Sequence, residues 1–261
     1  MLLKELDIGL RESGAALWTG GTFSPSGLAP PEVKGYVLGE RLGHGGQGTV
    51  WRAADGAGRE VAIKICLQET ELLWVEVQNL KAVRHPNVVK FEVFVKPNAI
   101  VMEFIDGQNL KTRLEEEAGA GLEVEEAMWV MRGLLRGVSV LHEKTIIHQD
   151  IKPENIMLRA QVHGQPSDRV VIIDLGTSKQ QRLTQTLTQA WTFLGNPAYA
   201  SPEKVVGCEP EPGNDVWAAG VVFFEMLEGS RPFAGKNNVD LMHNIRLAAV
   251  RPLQVSPATV D

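Results

Sequence analysis

His148-Gln149-Asp150-Ile151-Lys152-Pro153-Glu154-Asn155 is the stretch on which the reading of this chain turns. An Asp, a Lys two residues on and an Asn five residues on lie in a loop between two apolar runs. Asp150 can accept a hydroxyl proton, Lys152 can neutralise charge on a transferring phosphoryl group, and Asn155 offers an amide oxygen to a hard cation. Further along, Val170-Val171-Ile172-Ile173-Asp174-Leu175-Gly176 reads as a buried strand ending in Asp and then Gly. A carboxylate at that strand end suits Mg2+, which takes few carboxylates and completes its shell with water and phosphate oxygens. Either aspartate alone could be a turn residue. The ordered set at this spacing is hard to reach by chance.

Upstream, Gly43-His44-Gly45-Gly46-Gln47-Gly48 matches G-x-G-x-x-G. In dinucleotide-binding folds the same pattern opens a helix, whereas here Thr49-Val50-Trp51-Arg52 continues as a strand. A second strand ends in Val61-Ala62-Ile63-Lys64, so the glycines cap a hairpin. A Walker loop is excluded because Thr49 occupies its lysine position. Glycine removes the Cβ and lets backbone amides approach phosphate oxygens closely; the plainer alternative is a flexible turn.

Lys64 stands on an otherwise apolar strand, and the spacing predicts a helix over 70–83. Its stripe Leu72, Leu73, Leu80 and Val83 faces the core, and Glu76 shares that face. Neither charge can be buried alone, so Lys64 and Glu76 are expected to pair and to aim the ammonium at a bound triphosphate. Glu69 and Glu71 sit near the helix start, where acids are expected on dipole grounds.

Around these motifs, 36–42, 49–53, 60–66, 88–95 and 99–104 read as strands. After Asp106 the pattern turns helical. A helix over 125–142 places Met128, Met131, Leu134, Leu135, Val138 and Leu141 on one face. Residues 215–227 are apolar nearly all round and should form a helix with no solvent face, in the middle of its lobe. Residues 160–169, with Gly164 and Pro166, read as a surface loop.

The expected organisation is a poorly ordered tail or linker over 1–35, with a short amphipathic helix possible over 2–10. A small strand-rich lobe and hinge follow over 36–105, then a larger helical lobe over 106–261. The net charge of −6 gives no basic excess for a nucleic-acid backbone or an anionic membrane. Two distant cysteines without a CxxC pair suit a reducing compartment. No apolar stretch is long enough for a membrane span, and Glu5, Asp7 and Arg11 interrupt any signal-peptide core. An intracellular, cytoplasmic protein is expected.

With these residues in place, the chain resembles the eukaryotic-type protein-kinase family over residues 36 to 250. His85-Pro86-Asn87, Met102-Glu103-Phe104-Ile105, Ala200-Ser201-Pro202-Glu203 and Asp215-Val216-Trp217-Ala218-Ala219-Gly220 add to the match. The resemblance implies an α+β bilobal kinase fold: a small antiparallel-sheet lobe with one main helix above a larger helical lobe. It implies ATP and Mg2+ as cofactors and a protein hydroxyl as acceptor, with neither nucleic acid nor a membrane span involved.

By the same resemblance, Asp150, Lys152, Lys64 and Glu76 are catalytic, and Asn155 and Asp174 hold metal. Leu42, Gly43, Gly45, Gly46, Gly48, Val50, Ala62, Lys64, Met102, Glu103, Ile105 and Met157 would line the nucleotide site. Val50, Ala62 and Met157 would sandwich adenine, with Met102 as gatekeeper and 102–105 as hinge. Leu80, Phe91, Leu175 and His148 would stack into a spine joining the lobes, and Asp215 would hold the catalytic-loop backbone. Lys152-Pro153-Glu154 resembles the serine/threonine rather than the tyrosine type.

The sequence departs from the family at several points. Gln149 replaces the usual Arg, so loop phosphorylation at Thr184, Thr186 or Thr188 would not couple to the catalytic loop in the usual way. Leu175 replaces Phe, and Asn196 stands where a Thr is usual. The helical lobe is expected to lack its last helices, and with them the Arg partner of Glu203. An unmatched buried charge there would cost about 3–5 kcal/mol. A second reading, from another class, is a kinase-shaped scaffold that binds nucleotide or a partner without efficient catalysis. The complete set Lys64, Glu76, Asp150, Asn155 and Asp174 argues against it.

Overall fold

The computed structural model describes residues 31–46, 48–175, 197–248, 250 and 252. Residues 1–30, with the expected helix over 2–10, lie outside the described residues, as do Gln47, Gly176, Thr184, Thr186, Thr188 and Asn196.

Strands β1 (Tyr36–Gly45), β2 (Gly48–Asp55) and β3 (Glu60–Cys66) run antiparallel through tight turns. Helix α1 (Glu71–Ala82) follows. The Thr70 side chain accepts from Leu73 N at 3.3 Å to cap it, and Val83 leaves in extended backbone. Then β4 (Phe91–Val95) and β5 (Ala99–Glu103) complete a five-stranded sheet of order β1-β2-β3-β5-β4.

The sheet shows period-two packing. Val61, Ile63, Ala99 and Val101 enter a cluster on one face together with Val33, while Lys64 faces α1 on the other side. The strand expected from residue 88 starts only at Phe91. Val88 and Val89 instead cross to the second lobe, where Val89 N donates to the Ile172 carbonyl at 2.9 Å.

The second lobe opens with β6 (Gly107–Asn109) and α2 (Leu110–Glu116), which the Asn109 side chain caps by accepting from Thr112 N at 2.9 Å. Next come α3 (Val124–Glu143), β7 (Ile156–Arg159) and β8 (Val170–Ile172), then α4 (Pro202–Val205), α5 (Pro212–Glu228) and α6 (Asn238–Arg246). Strands β6-β7-β8 form a small antiparallel sheet under the first lobe. No described helix is long and apolar enough to cross a membrane.

Two helical expectations need correction. On α3, Leu134, Val138 and Leu141 are buried as expected, but Met128 and Leu135 stand 48% and 42% exposed. The helix turns Gly133 and Gly137 inward instead. A Cβ at Gly133 would lie 2.4 Å from the Ser167 carbonyl oxygen, and one at Gly137 would lie 2.7 Å from Ile172 Cδ1. Close approach to β8 therefore sets the rotation of α3, at the expense of two exposed apolar side chains. Helix α5 does have a solvent-facing strip: Val216 is 54% exposed and Gly220 is exposed. Its other faces bury Ala218, Ala219, Val222 and Met226 in the main core.

Glu203 is also not the buried charge expected. Its side chain is exposed, and no ion pair to it occurs among the described residues. An exposed carboxylate does not carry the penalty of a broken buried pair.

Candidate functional site

Lys64, at the centre of β3, reaches across to α1 and to the end of β8. Its Nζ lies 2.6 Å from Glu76 Oε1 and 2.8 Å from Asp174 Oδ1. Glu76 falls on the buried face of α1 with Leu73, Val77 and Leu80, while Glu69, Glu71 and Leu72 remain wholly or partly exposed. Burial alone would pull the Lys64 ammonium down, but the Asp174 and Glu76 carboxylates together outweigh it and hold it above the ordinary lysine value. Burial pushes the Glu76 carboxyl up against the opposing pull of Lys64. The cation is therefore fixed in its charged form between a fully enclosed acid and a partly open one.

Asp174 follows β8 with φ of 62°, a left-handed backbone. Beside it, Ile173 N donates to the Asn155 carbonyl at 3.0 Å, which ties the strand end to the loop of Asp150. Asn155 Nδ2 donates to the Asp150 carbonyl at 2.8 Å and to Asp150 Oδ2 at 3.0 Å. Lys152 Nζ donates to the same Oδ2 at 2.6 Å. With its nitrogen so engaged, Asn155 has only Oδ1 left to offer a cation, and no described donor reaches that oxygen.

Asp174 and Asn155 thus present one carboxylate and one amide oxygen, a donor set that fits Mg2+. No cluster of three or more His, Cys, Asp or Glu side chains suited to a metal occurs among the described residues. Such a pair suits an ion whose shell is completed by water and phosphate rather than by a protein cage.

The backbone of the Asp150 loop is held from α5. Asp215 is fully buried, and its Oδ2 accepts from His148 N at 2.9 Å while its Oδ1 accepts from Gln149 N at 2.8 Å. His142 Nε2, from the last turn of α3, lies 2.8 Å from Oδ2. His148 Nδ1 accepts from Asp150 N at 3.2 Å, which leaves Nε2 to donate to the Ile173 carbonyl at 3.1 Å. Burial alone would raise the Asp215 carboxyl; the His142 bond and the two amides outweigh it and hold it below the usual carboxylate range.

A carboxyl depressed in the folded state stabilises fully above its unfolded value and loses that contribution as pH falls through the folded value. Stability to urea is therefore expected to fall below about pH 4. Asp215→Asn should lower the plateau near pH 7 and flatten this acid limb. An unchanged acid limb in that variant would show that Asp215 does not carry it.

The glycine loop closes a β1–β2 hairpin in which Gly45 pairs with Gly48. At Gly48, with φ of 151°, a Cβ would sit 2.1 Å from the Ile65 carbonyl oxygen, so packing alone demands glycine there. At Gly43, Gly45 and Gly46 a Cβ would meet nothing within 4 Å. Internal packing does not require those three glycines, which leaves open space above their backbone for a bound group.

Across the sheet, Val50 pairs with Lys64 and Ala62 with Met102, so these side chains share the face that looks toward the second lobe. Met102, Ile105 and Leu175 are buried in the main core with Leu80, and Met157 and Phe91 pack against it. Leu42 is exposed at the end of β1. The Glu103 side chain binds Arg159 Nη2 at 2.9 Å and Lys90 N at 2.9 Å, a link between the lobes rather than a group turned to a ligand.

The structure thus brings Lys64, Glu76 and Asp174 together, and Asp150, Lys152 and Asn155 together, with the Ile173–Asn155 bond joining the two groups. His142 and Lys204, which donates to the Gln149 carbonyl, were not foreseen. A histidine in the last turn of a helix is the one signal that pointed to His142.

A family pattern described as protein kinase domain matches residues 36–259. Serine/threonine-protein kinase ATG1a of Arabidopsis thaliana is 30% identical over 225 residues, covering 82% of this chain and 34% of its own length. Serine/threonine-protein kinase drp72 of Corynebacterium efficiens is 34% identical over 222 residues, covering 79% of this chain and 41% of its own. Serine/threonine-protein kinase ULK3 of Rattus norvegicus is 30% identical over 243 residues, covering 89% and 50%. The chain spans between 34% and 50% of the length of these relatives. It belongs to the eukaryotic-type protein-kinase family.

Proposed function

We propose that this protein is an active kinase that transfers the γ-phosphoryl group of ATP to a serine or threonine hydroxyl of another protein, with Mg2+ bound by Asp174 and Asn155. The observation that carries the proposal is the bridge from Lys64 to both Glu76 and Asp174, at 2.6 Å and 2.8 Å. It fixes a cation and an acid from opposite lobes at one point, as a triphosphate site requires.

When bound, the metal supplies charge neutralisation at the phosphate oxygens. Lys64 donates to those oxygens, and the backbone at Gly43, Gly45 and Gly46, where a Cβ would meet nothing within 4 Å, is open to them. Val50, Ala62, Met102 and Met157 supply the apolar walls for adenine, with Leu42 at the rim and the backbone of Glu103 and Ile105 along the hinge. Asp150 accepts the hydroxyl proton, and Lys152, already at its carboxylate, neutralises the phosphoryl charge.

Catalysis on this scheme is positioning and electrostatics, with no covalent role for the protein. The net charge of −6 supports a protein rather than a nucleic-acid acceptor. The two free cysteines, Cys66 and Cys208, support work in a reducing, intracellular compartment. The test is transfer from labelled ATP to a peptide library. Label on Ser and Thr peptides agrees with the proposal. ATP binding without any transfer would leave the scaffold reading in its place.

A further inference from the structure

Two charged side chains hold the backbone on either side of Gln149. Asp215 was expected there; Lys204 was not. Lys204 lies on α4, which Ser201 caps by accepting from Lys204 N at 3.2 Å. The Ser201 hydroxyl also accepts from Asn214 Nδ2 at 2.7 Å, and Asn214 Oδ1 accepts from Glu211 N at 2.8 Å at the start of α5. Helix α4 is therefore locked to the end of α5 that carries Asp215. From this joint the half-buried Lys204 side chain runs beneath the loop, and its Nζ donates to the Gln149 carbonyl. Asp215 Oδ1 takes the Gln149 N–H at 2.8 Å. One rigid joint thus grips both peptide groups of a single residue with opposite charges.

Gln149 needs such a grip. Its φ of 66° lies in the left-handed region, where a glutamine side chain is strained and Asn or Gly is at ease. The carbonyl that Lys204 holds belongs to the same rigid peptide plane as the Asp150 N–H, which donates to His148 Nδ1 at 3.2 Å. If that plane rotates, the Asp150 carboxylate swings with it. Burial lowers the Lys204 ammonium from its ordinary value, and the Asp150 and Asp215 charges oppose that effect, so the cation is coupled to this pair.

We propose that Lys204 is a positioning residue for phosphoryl transfer, holding the Gln149–Asp150 peptide plane so that the Asp150 carboxylate faces the acceptor hydroxyl. It acts through Asp150 and not on substrate, and in that sense the proposal rests on the kinase reading above. Lys204→Met keeps the length of the side chain and removes both the donor and the charge. The expected result is a kcat lower by about 10- to 100-fold, the scale of a 1 Å misplacement. The KM values for ATP and peptide should stay within about twofold, since neither site is touched.

Amide hydrogen exchange should quicken over 148–151 while α5 keeps its protection, a readout that needs no activity and survives if the kinase reading fails. In the double variant Gln149→Asn/Lys204→Met, asparagine accepts the left-handed backbone readily, so kcat should recover part of the loss. A kcat within twofold of wild type in Lys204→Met would overturn the proposal. So would equal rises in KM with unchanged loop exchange, or a double variant no better than the single. Should Lys204→Met fail to fold, Lys204→Arg keeps donor and charge. Wild-type exchange over 148–151 in that variant agrees with the proposal, and an opened loop in it counts against the proposal.

Discussion

Asp150→Ala is expected to lower kcat by about 10²–10⁴-fold, the usual size of a general-base contribution, with the KM for ATP nearly unchanged. The geometry predicts the split. Asp150 Oδ2 is occupied by Lys152 at 2.6 Å and Asn155 at 3.0 Å, which on the proposed scheme leaves Oδ1 to accept the hydroxyl proton. On the proposed scheme the nucleotide meets Lys64 and Asp174, whose bond to one another does not run through Asp150. Alanine also releases Lys152 and Asn155, so Asp150→Asn is the necessary control. Its amide oxygen can keep both bonds but is a far weaker base. Similar losses in the two variants mark proton acceptance as the role of Asp150. Wild-type turnover in Asp150→Asn would remove that role and leave the residue a structural one.

Lys64→Met should show the second large effect, on stability and activity together. It strands Glu76, nearly fully buried, and Asp174, whose side chain is 35% exposed, without their shared cation. Breaking a buried pair from one side costs about 3–5 kcal/mol, and the open flank of Asp174 places the loss toward the lower end. At about 2–4 °C per kcal/mol for a domain of this size, Tm should fall by roughly 10 °C. Transfer should fall by about 10²–10³-fold, as when one charge-stabilising donor is removed.

The double variant Lys64→Met/Glu76→Leu separates the two effects. Replacing a buried pair with apolar groups is often neutral for stability, so Tm should recover while transfer stays low. Calorimetric melts and initial rates check both parts. If the double variant melts no higher than Lys64→Met, the stranded acid is not the cause of the loss.

Much of the site could be read from sequence because its charges stand where charges are costly. Lys64 interrupts an apolar strand and Glu76 interrupts an apolar helix face, so each demanded a partner, and the bond at 2.6 Å supplies it. Asp174 was expected as a metal ligand, and its carboxylate lies 2.8 Å from the same Lys64 Nζ. Sequence reasoning failed on α3 because a hydrophobic pattern registers side chains and not their absence. Gly133 and Gly137 decide which face is buried through contacts with Ser167 and Ile172, more than 30 residues away in the chain.

Strands β6 and β7 were missed for a related reason: three and four residues are too short to show a period. Lys204 had no local signal at all. Its partner is a backbone carbonyl 55 residues away, a group every residue carries and no sequence marks. Glu203 was misjudged in the opposite direction, its charge taken as buried when the fold leaves it exposed.

Titration of ATP into the protein with and without Mg2+, repeated on Asp174→Ala, tests the central claim most directly. That claim is the proposal that Lys64, Asp174 and Asn155 together bind one metal-bearing triphosphate. A charge-assisted contact of about 1.5–3 kcal/mol corresponds to about 10- to 100-fold in Kd. The account predicts weakening of that size in wild type on chelation, and a mutant whose affinity no longer responds to Mg2+. Equal ATP affinity in all four conditions, or no binding in any, would contradict it.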